Sequence, residues 1–171
     1  MSFQLYTSRL RVREYTHSDV AFATTLLADP TVRPFLSGAE KIQSPEQWLN
    51  EMIAGYRQVG QGFWLVERTS DRQPLGQVGL IWQDVDGQPE PELEFMLHIP
   101  FRHHGFATEA AAAVRDFAFG ELRLPYLITM VPLNDHSTQG VARRLGMSPT
   151  RQTLFRNLPH RVYQVQRHHA A

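Results

Sequence analysis

Arg102-His103-His104-Gly105-Phe106-Ala107-Thr108-Glu109-Ala110 follows the apolar run 93–99 and opens an alanine-rich segment. A strand that turns through glycine into a helix leaves the first helical amides without acceptors, at the positive end of the helix dipole. That arrangement suits a phosphate. Gly105 lets the backbone turn sharply, and Ala107 keeps the approach open. Taken alone, the turn is compatible with a bound phosphate or with none. The P-loop lysine and Ser/Thr are missing, which disfavours nucleotide hydrolysis. The first glycines of a dinucleotide fingerprint are missing too, and the loop comes late in the chain.

On either side of this stretch the pattern is that of a mixed sheet with helices. Residues 5–15 alternate, with Leu10 and Val12 between Arg9, Arg11 and Arg13, and predict one half-buried strand. Thr16 to Asp19 supplies a helix cap, and Asp29-Pro30 ends the helix that follows. Pro34 and Gly38 keep the next segment short. Ser44-Pro45-Glu46-Gln47 starts another helix carrying Trp48, Met52 and Tyr56 on one face, stopped by Gly60 and Gly62. Residues 63–68, 75–82 and 92–99 read as strands, with turns at 69–72 and 84–89. Ala107, Ala110, Ala111, Val114, Phe117 and Ala118 share a helical face. A strand at 126–131, a short helix ending at Gly146, and strands at 152–156 and 162–166 complete the chain. This order predicts a single α/β domain, 1–171, with a mixed sheet.

Composition bounds the function. The chain has 171 residues, 42% of them apolar, enough for a core. Seventeen basic and seventeen acidic residues cancel, which argues against nucleic-acid or membrane partners. There is no cysteine, no signal-like N-terminus and no apolar run of the ~18 residues that a membrane span needs, so a cytoplasmic protein is expected. Eight histidines include the pairs His103-His104 and His168-His169. They lack metal-ligand spacing, and no metal is expected.

Arg102-x-x-Gly105-x-Ala107 matches the pyrophosphate signature of the GNAT acetyltransferase superfamily, and Gly105 to Ala110 resembles its ribosomal-protein N-acetyltransferase (RimJ/RimL-like) branch. The resemblance runs along nearly the whole chain. It includes Thr7 to Arg13, Asp19, Asp29-Pro30, Phe35-Leu36, Gly62 to Arg68, Gly76 to Leu80, Arg143 to Met147 and Arg161-Val162-Tyr163.

The resemblance implies a splayed, mostly antiparallel central sheet flanked by helices. It implies acetyl-CoA as co-substrate, a primary amine as acceptor, and direct attack. Arg102, His103, His104, Gly105, Phe106, Ala107 and Thr108 would cradle the pyrophosphate, and backbone groups at Leu97, His98 and Ile99 would pair with the pantetheine arm. Deprotonating a lysine-like amine of pKa ~10.4 costs about 4.6 kcal/mol at pH 7, against about 1.4 for an α-amine near ~8. A protein base therefore matters more for the former.

Glu92, Glu94 and His98 share one strand face by alternation. Glu92 falls where many family members carry an acid. Glu94 replaces the branch's usual glycine, and either narrows the acceptor side or serves as the base. A solvated strand face is the plain alternative for both. The tyrosine acid of many family members is absent between Leu127 and Val162. Asn134-Asp135-His136-Ser137 spells the branch's Asn-x-x-Ser motif one residue too early. Asp135 and Thr138 occupy the expected slots by count. Ser137 and Thr138 are thus candidate acids or mere helix caps, and Asn134 and Asp135 candidate donor-site residues. A small amine, amino acid or aminoglycoside acceptor in place of a protein N-terminus stays open, as does a non-catalytic acyl-CoA-binding or sensing module. So does the choice between monomer and homodimer.

Overall fold

The computed structural model describes residues 2–33, 44–59 and 62–168. Pro34, Phe35-Leu36, Gly38, Gly60 and His169 lie outside them. Eight strands form a sheet in the order β1-β2-β3-β4-β5-β6-β8-β7, antiparallel throughout except between β5 and β6. The strands are β1 (Gln4–Tyr6), β2 (Leu10–Arg13), β3 (Gly62–Arg68), β4 (Pro74–Val85), β5 (Gln88–Leu97), β6 (Tyr126–Pro132), β7 (Ser148–Phe155) and β8 (Leu158–Gln166). The helices are α1 (Val20–Ala28), α2 (Pro45–Val59), α3 (Phe106–Gly120) and α4 (His136–Arg144). None of the described helices is long and apolar enough to cross a membrane.

Local chemistry explains where the elements depart from the sequence pattern. The single strand expected over 5–15 is two. The Thr7 amide donates to the Leu10 carbonyl, and the Thr7 hydroxyl accepts from the Leu10 amide at 2.9 Å, which turns the chain back on itself. The turn expected over 84–89 shrinks to Asp86-Gly87, both at positive φ, a two-residue hairpin that lengthens β4 and β5 into it. Arg156-Asn157, also both at positive φ, joins β7 and β8 in the same way. β5 stops at Leu97 rather than Ile99, because Ile99–Phe101 forms a 3₁₀ turn around Pro100, which has no amide to continue a ladder.

Each face of the sheet buries a separate core. On one face α3 lays Ala110, Ala111, Val114 and Ala118 against Leu10, Val12, Trp64, Val78, Leu80 and Leu93. The small helical residues allow close approach, and each large strand side chain buried there contributes roughly 1.5–3 kcal/mol. On the other face α1 and α2 pack Phe22, Leu26, Trp48 and Leu49 against Tyr15 and Leu65. Trp48, Phe63 and Trp64 are core residues, whereas Trp82 is 52% exposed. Arg13 is half-buried under α1, where its guanidinium bridges Asp19 and Glu67 at 2.9 and 3.0 Å.

β5 and β6 share a single register pair, Glu92 with Ile128. Beyond it the strands part. Two side chains take over from the ladder: the Thr129 hydroxyl donates to the Leu93 carbonyl at 2.7 Å, and the Met130 amide donates to Glu92 Oε1 at 3.1 Å.

Candidate active site

The gap between the parted strands opens into a cavity of about 510 Å³. β5 gives it Glu92, Glu94, Phe95, Met96 and Leu97, and β6 gives Met130 and Pro132. The loop into α3 and the start of α4 close one end. The β7–β8 hairpin covers the other with Phe155, Arg156, Leu158 and His160. That hairpin bends back over β5, since Arg151 of β7 donates to Glu90 at 2.6 Å although β6 and β8 stand between them in the sheet.

At the α3 end, His103 and Gly105 both have left-handed backbones, with φ of 65° and 80°. Glycine adopts this freely, whereas histidine does so at a cost. The first helical bond runs from the Glu109 amide to the Gly105 carbonyl. The amides of Phe106, Ala107 and Thr108 therefore precede the intrahelical ladder. Arg102 and Arg144 both line this end, with Arg144 Nε 3.3 Å from the Thr108 hydroxyl. Amides at a positive helix end flanked by two guanidiniums suit a doubly charged phosphate ester. Arg102 Nε also donates to the Leu97 carbonyl at 2.9 Å, and the His98 amide donates to the Leu75 carbonyl. Two of the backbone groups expected to meet a pantetheine arm are thus paired within the protein.

At the β5 face, Glu92 is 4% exposed and its carboxylate is spent partly on the Met130 amide. Burial pushes Glu92 above the ordinary carboxylate range, with the Met130 amide and Arg156 opposing. Glu94 is enclosed by protein, although part of its surface opens on the cavity that it lines. Burial and the neighbouring Glu92 charge push it up as well, again against Arg156. Two raised carboxyls side by side hold a proton at pH values where a free carboxylate has lost it.

At the start of α4, Asp135 is the N-cap. Its carboxylate accepts from the Thr138 amide at 3.0 Å and from the Thr138 hydroxyl at 2.6 Å. Ser137 also lines the cavity, and its hydroxyl makes no protein hydrogen bond among the described residues. Of the residues singled out in the sequence, Glu92, Glu94, Leu97, Arg102, His103, Gly105, Phe106, Ala107, Thr108, Asp135, Ser137 and Thr138 meet around this one cavity. His98, Ile99, His104 and Asn134 do not line it. His98 faces Asp29 instead, at 3.6 Å. Among the described residues no cluster of three or more His, Cys, Asp or Glu could hold a metal ion.

Sequence reasoning missed Arg144, Phe155, Arg156 and His160 as cavity residues. Arg144 reads as a cation at a helix C-terminus, and nothing local tells that the start of the preceding helix, α3, lies beside it. Asn157, a residue that favours turns, signals the hairpin, whose tip carries Phe155 and Arg156.

Residues 9–148 match the acetyltransferase (GNAT) domain family. The uncharacterized protein YkkB of Bacillus subtilis (strain 168) is 27% identical over 162 residues, 94% of each chain. An acetyltransferase from Agrobacterium tumefaciens str. C58 superposes with a TM-score of 0.76 at 24% identity, over 96% of this chain and 94% of that one. A RimL ribosomal L7/L12 alpha-N-protein acetyltransferase, solved in complex with coenzyme A, also superposes with a TM-score of 0.76, at 11% identity over 96% and 98% of the two chains. These structural likenesses are to the fold.

Proposed function

The chain belongs to the GNAT acetyltransferase family, and from that premise we propose that it transfers acetyl from acetyl-CoA to a primary amine by direct attack. The observation that carries this reading is one cavity joining an anion-binding end to two neighbouring carboxyls, Glu92 buried and Glu94 opening on the cavity. The co-substrate supplies an activated acetyl group as a thioester. The amides of Phe106, Ala107 and Thr108, with Arg102 and Arg144, would hold its pyrophosphate.

The acceptor enters from the side of Glu94 and the β7–β8 hairpin. Glu94 takes a proton from its ammonium, directly or through water, and so provides the neutral amine. Glu92 serves the geometry: its bond to the Met130 amide holds the parted strands at a set spacing. As the C–N bond forms and the C–S bond breaks, the nitrogen gives its second proton to solvent and Ser137 is the hydroxyl free to protonate the departing thiolate; solvent then reprotonates Ser137 and takes the proton held by Glu94. Thr138 is committed to Asp135 and serves the helix cap.

The test is thiol release from acetyl-CoA with a panel of α-amines, lysine-like amines and polyamines. Turnover with at least one class, lost in Glu94→Gln, supports the reading. Tight CoA binding without thiol release for any amine would instead favour a sensing module.

A further inference from the structure

Two stretches of sequence far apart, 7–9 and 104–109, are bound to each other behind the loop into α3. Arg9 Nε donates to Glu109 Oε2 at 2.6 Å, and Nη2 lies 2.6 Å from the same oxygen. Arg9 Nη1 donates to the His104 carbonyl at 3.1 Å. The guanidinium carbon sits 4.5 Å from the centre of the Phe106 ring. Glu109 Oε1 accepts from the Arg9 amide at 3.0 Å and from the Thr7 and Ser8 hydroxyls at 2.5 and 3.3 Å. Neither Arg9 nor Glu109 lines the cavity.

We propose that Arg9, aimed by Glu109, is a positioning residue for the donor site. It sets the direction of the Gly105 amide by gripping the His104 carbonyl. The inference rests on the reading of residues 102–108 as the pyrophosphate loop. The peptide between His104 and Gly105 is trans, and in a trans peptide the carbonyl and the following N–H point in opposite directions. Drawing the His104 oxygen outward to Arg9 therefore turns the Gly105 N–H inward, and Gly105 lines the cavity. This peptide plane joins His104 to the left-handed Gly105, and Gly105 by itself does not hold one orientation. The grip supplies the orientation before the ligand arrives. Glu109 belongs to the first turn of α3, so the same pair ties the loop's orientation to the helix whose amides complete the site.

The experiment compares two donors on the full chain: acetyl-CoA, and S-acetylpantetheine, which has no pyrophosphate. Losing a charged grip of this kind corresponds to about a tenfold loss of affinity. In Arg9→Met, the CoA dissociation constant by calorimetry rises about that much. The ratio of kcat/KM for acetyl-CoA over S-acetylpantetheine falls by a similar factor. Glu109→Gln shifts both in the same direction, and it carries the comparison if Arg9→Met does not fold. A merely structural role would depress both donors together and leave the ratio unchanged, which overturns the proposal. Gly105→Glu separates the two levels of the argument. If it leaves CoA affinity intact, the loop reading itself fails. If it abolishes binding while the Arg9 and Glu109 variants keep the wild-type ratio, only the positioning role fails.

Discussion

Glu92 and Glu94 offer a stability test with a definite sign. Both carboxyls are raised, chiefly by burial, so the folded chain binds their protons more tightly than the unfolded chain does. Below the ordinary carboxylate range both states are protonated and the pair has no effect. As pH rises through that range, the unfolded chain loses its protons first, and wild-type stability falls until the folded values are passed. Each tenfold tightening of a proton is worth about 1.4 kcal/mol, and ~1 kcal/mol moves Tm by about 2–4 °C for a chain of this size.

Glu92→Gln keeps an oxygen acceptor for the Met130 amide while removing the charge. Its Tm should equal that of wild type near pH 4 and exceed it by several degrees near pH 9. Glu94→Gln should behave alike. The double variant should gain less than the sum of the two, because either substitution alone removes the repulsion between them. Glu92→Ala leaves the Met130 amide without its acceptor, a loss of about 1–3 kcal/mol that shows most clearly at pH 4. Thermal melts of wild type and these four variants from pH 4 to 9 provide the check. A Gln-minus-wild-type difference that is flat with pH, or largest in acid, would refute the reasoning.

Three further outcomes follow from single contacts. Ser137→Ala should lower kcat with little change in donor affinity, whereas Thr138→Ala, which breaks the bond to Asp135, should lower Tm by loss of a cap contact worth roughly 1 kcal/mol; equal kinetics for wild type and Ser137→Ala would remove Ser137 as the acid. Arg144→Met should weaken CoA binding and flatten its salt dependence, measured by calorimetry at two ionic strengths, and an unchanged slope would place Arg144 outside the phosphate contacts. Gly76→Ala would put a Cβ 2.1 Å from the Met96 carbonyl oxygen, a backbone atom that cannot rotate away, and should destabilise by about 3 kcal/mol or more, whereas Gly55→Ala, with open space at its Cβ and a helical backbone, should stabilise by about 0.5–1 kcal/mol; comparable Tm values for the two would contradict the packing.

Much of the fold is legible locally. The 3.6-residue spacing of Ala110, Ala111, Val114 and Ala118 tells that one face of α3 is buried, and the structure lays that face on the sheet. Alternation along 92–97 separates Leu93, Phe95 and Leu97 from Glu92 and Glu94. The errors are local as well. A hydroxyl turn at Thr7 and two-residue turns at Asp86-Gly87 and Arg156-Asn157 depend on backbone angles, which hydrophobic period does not report.

The sequence by itself determined that a glycine turn opens α3 at Gly105, that Glu92 and Glu94 share a face, and that Ser137 and Thr138 stand at a helix start. Each is a matter of neighbours in the chain. Only the tertiary structure decided what those residues meet. It bonded Glu92 to the Met130 amide and brought Arg144 to Thr108. It assigned the cap to Asp135 rather than Ser137 or Thr138, and strapped Arg9 to Glu109 behind the loop. The physical reason is that periodicity records which side of an element avoids water, not which atoms cover it. Hydrogen bonding and the cost of burying a charge depend on those covering atoms, which here come from strands and helices distant in the chain.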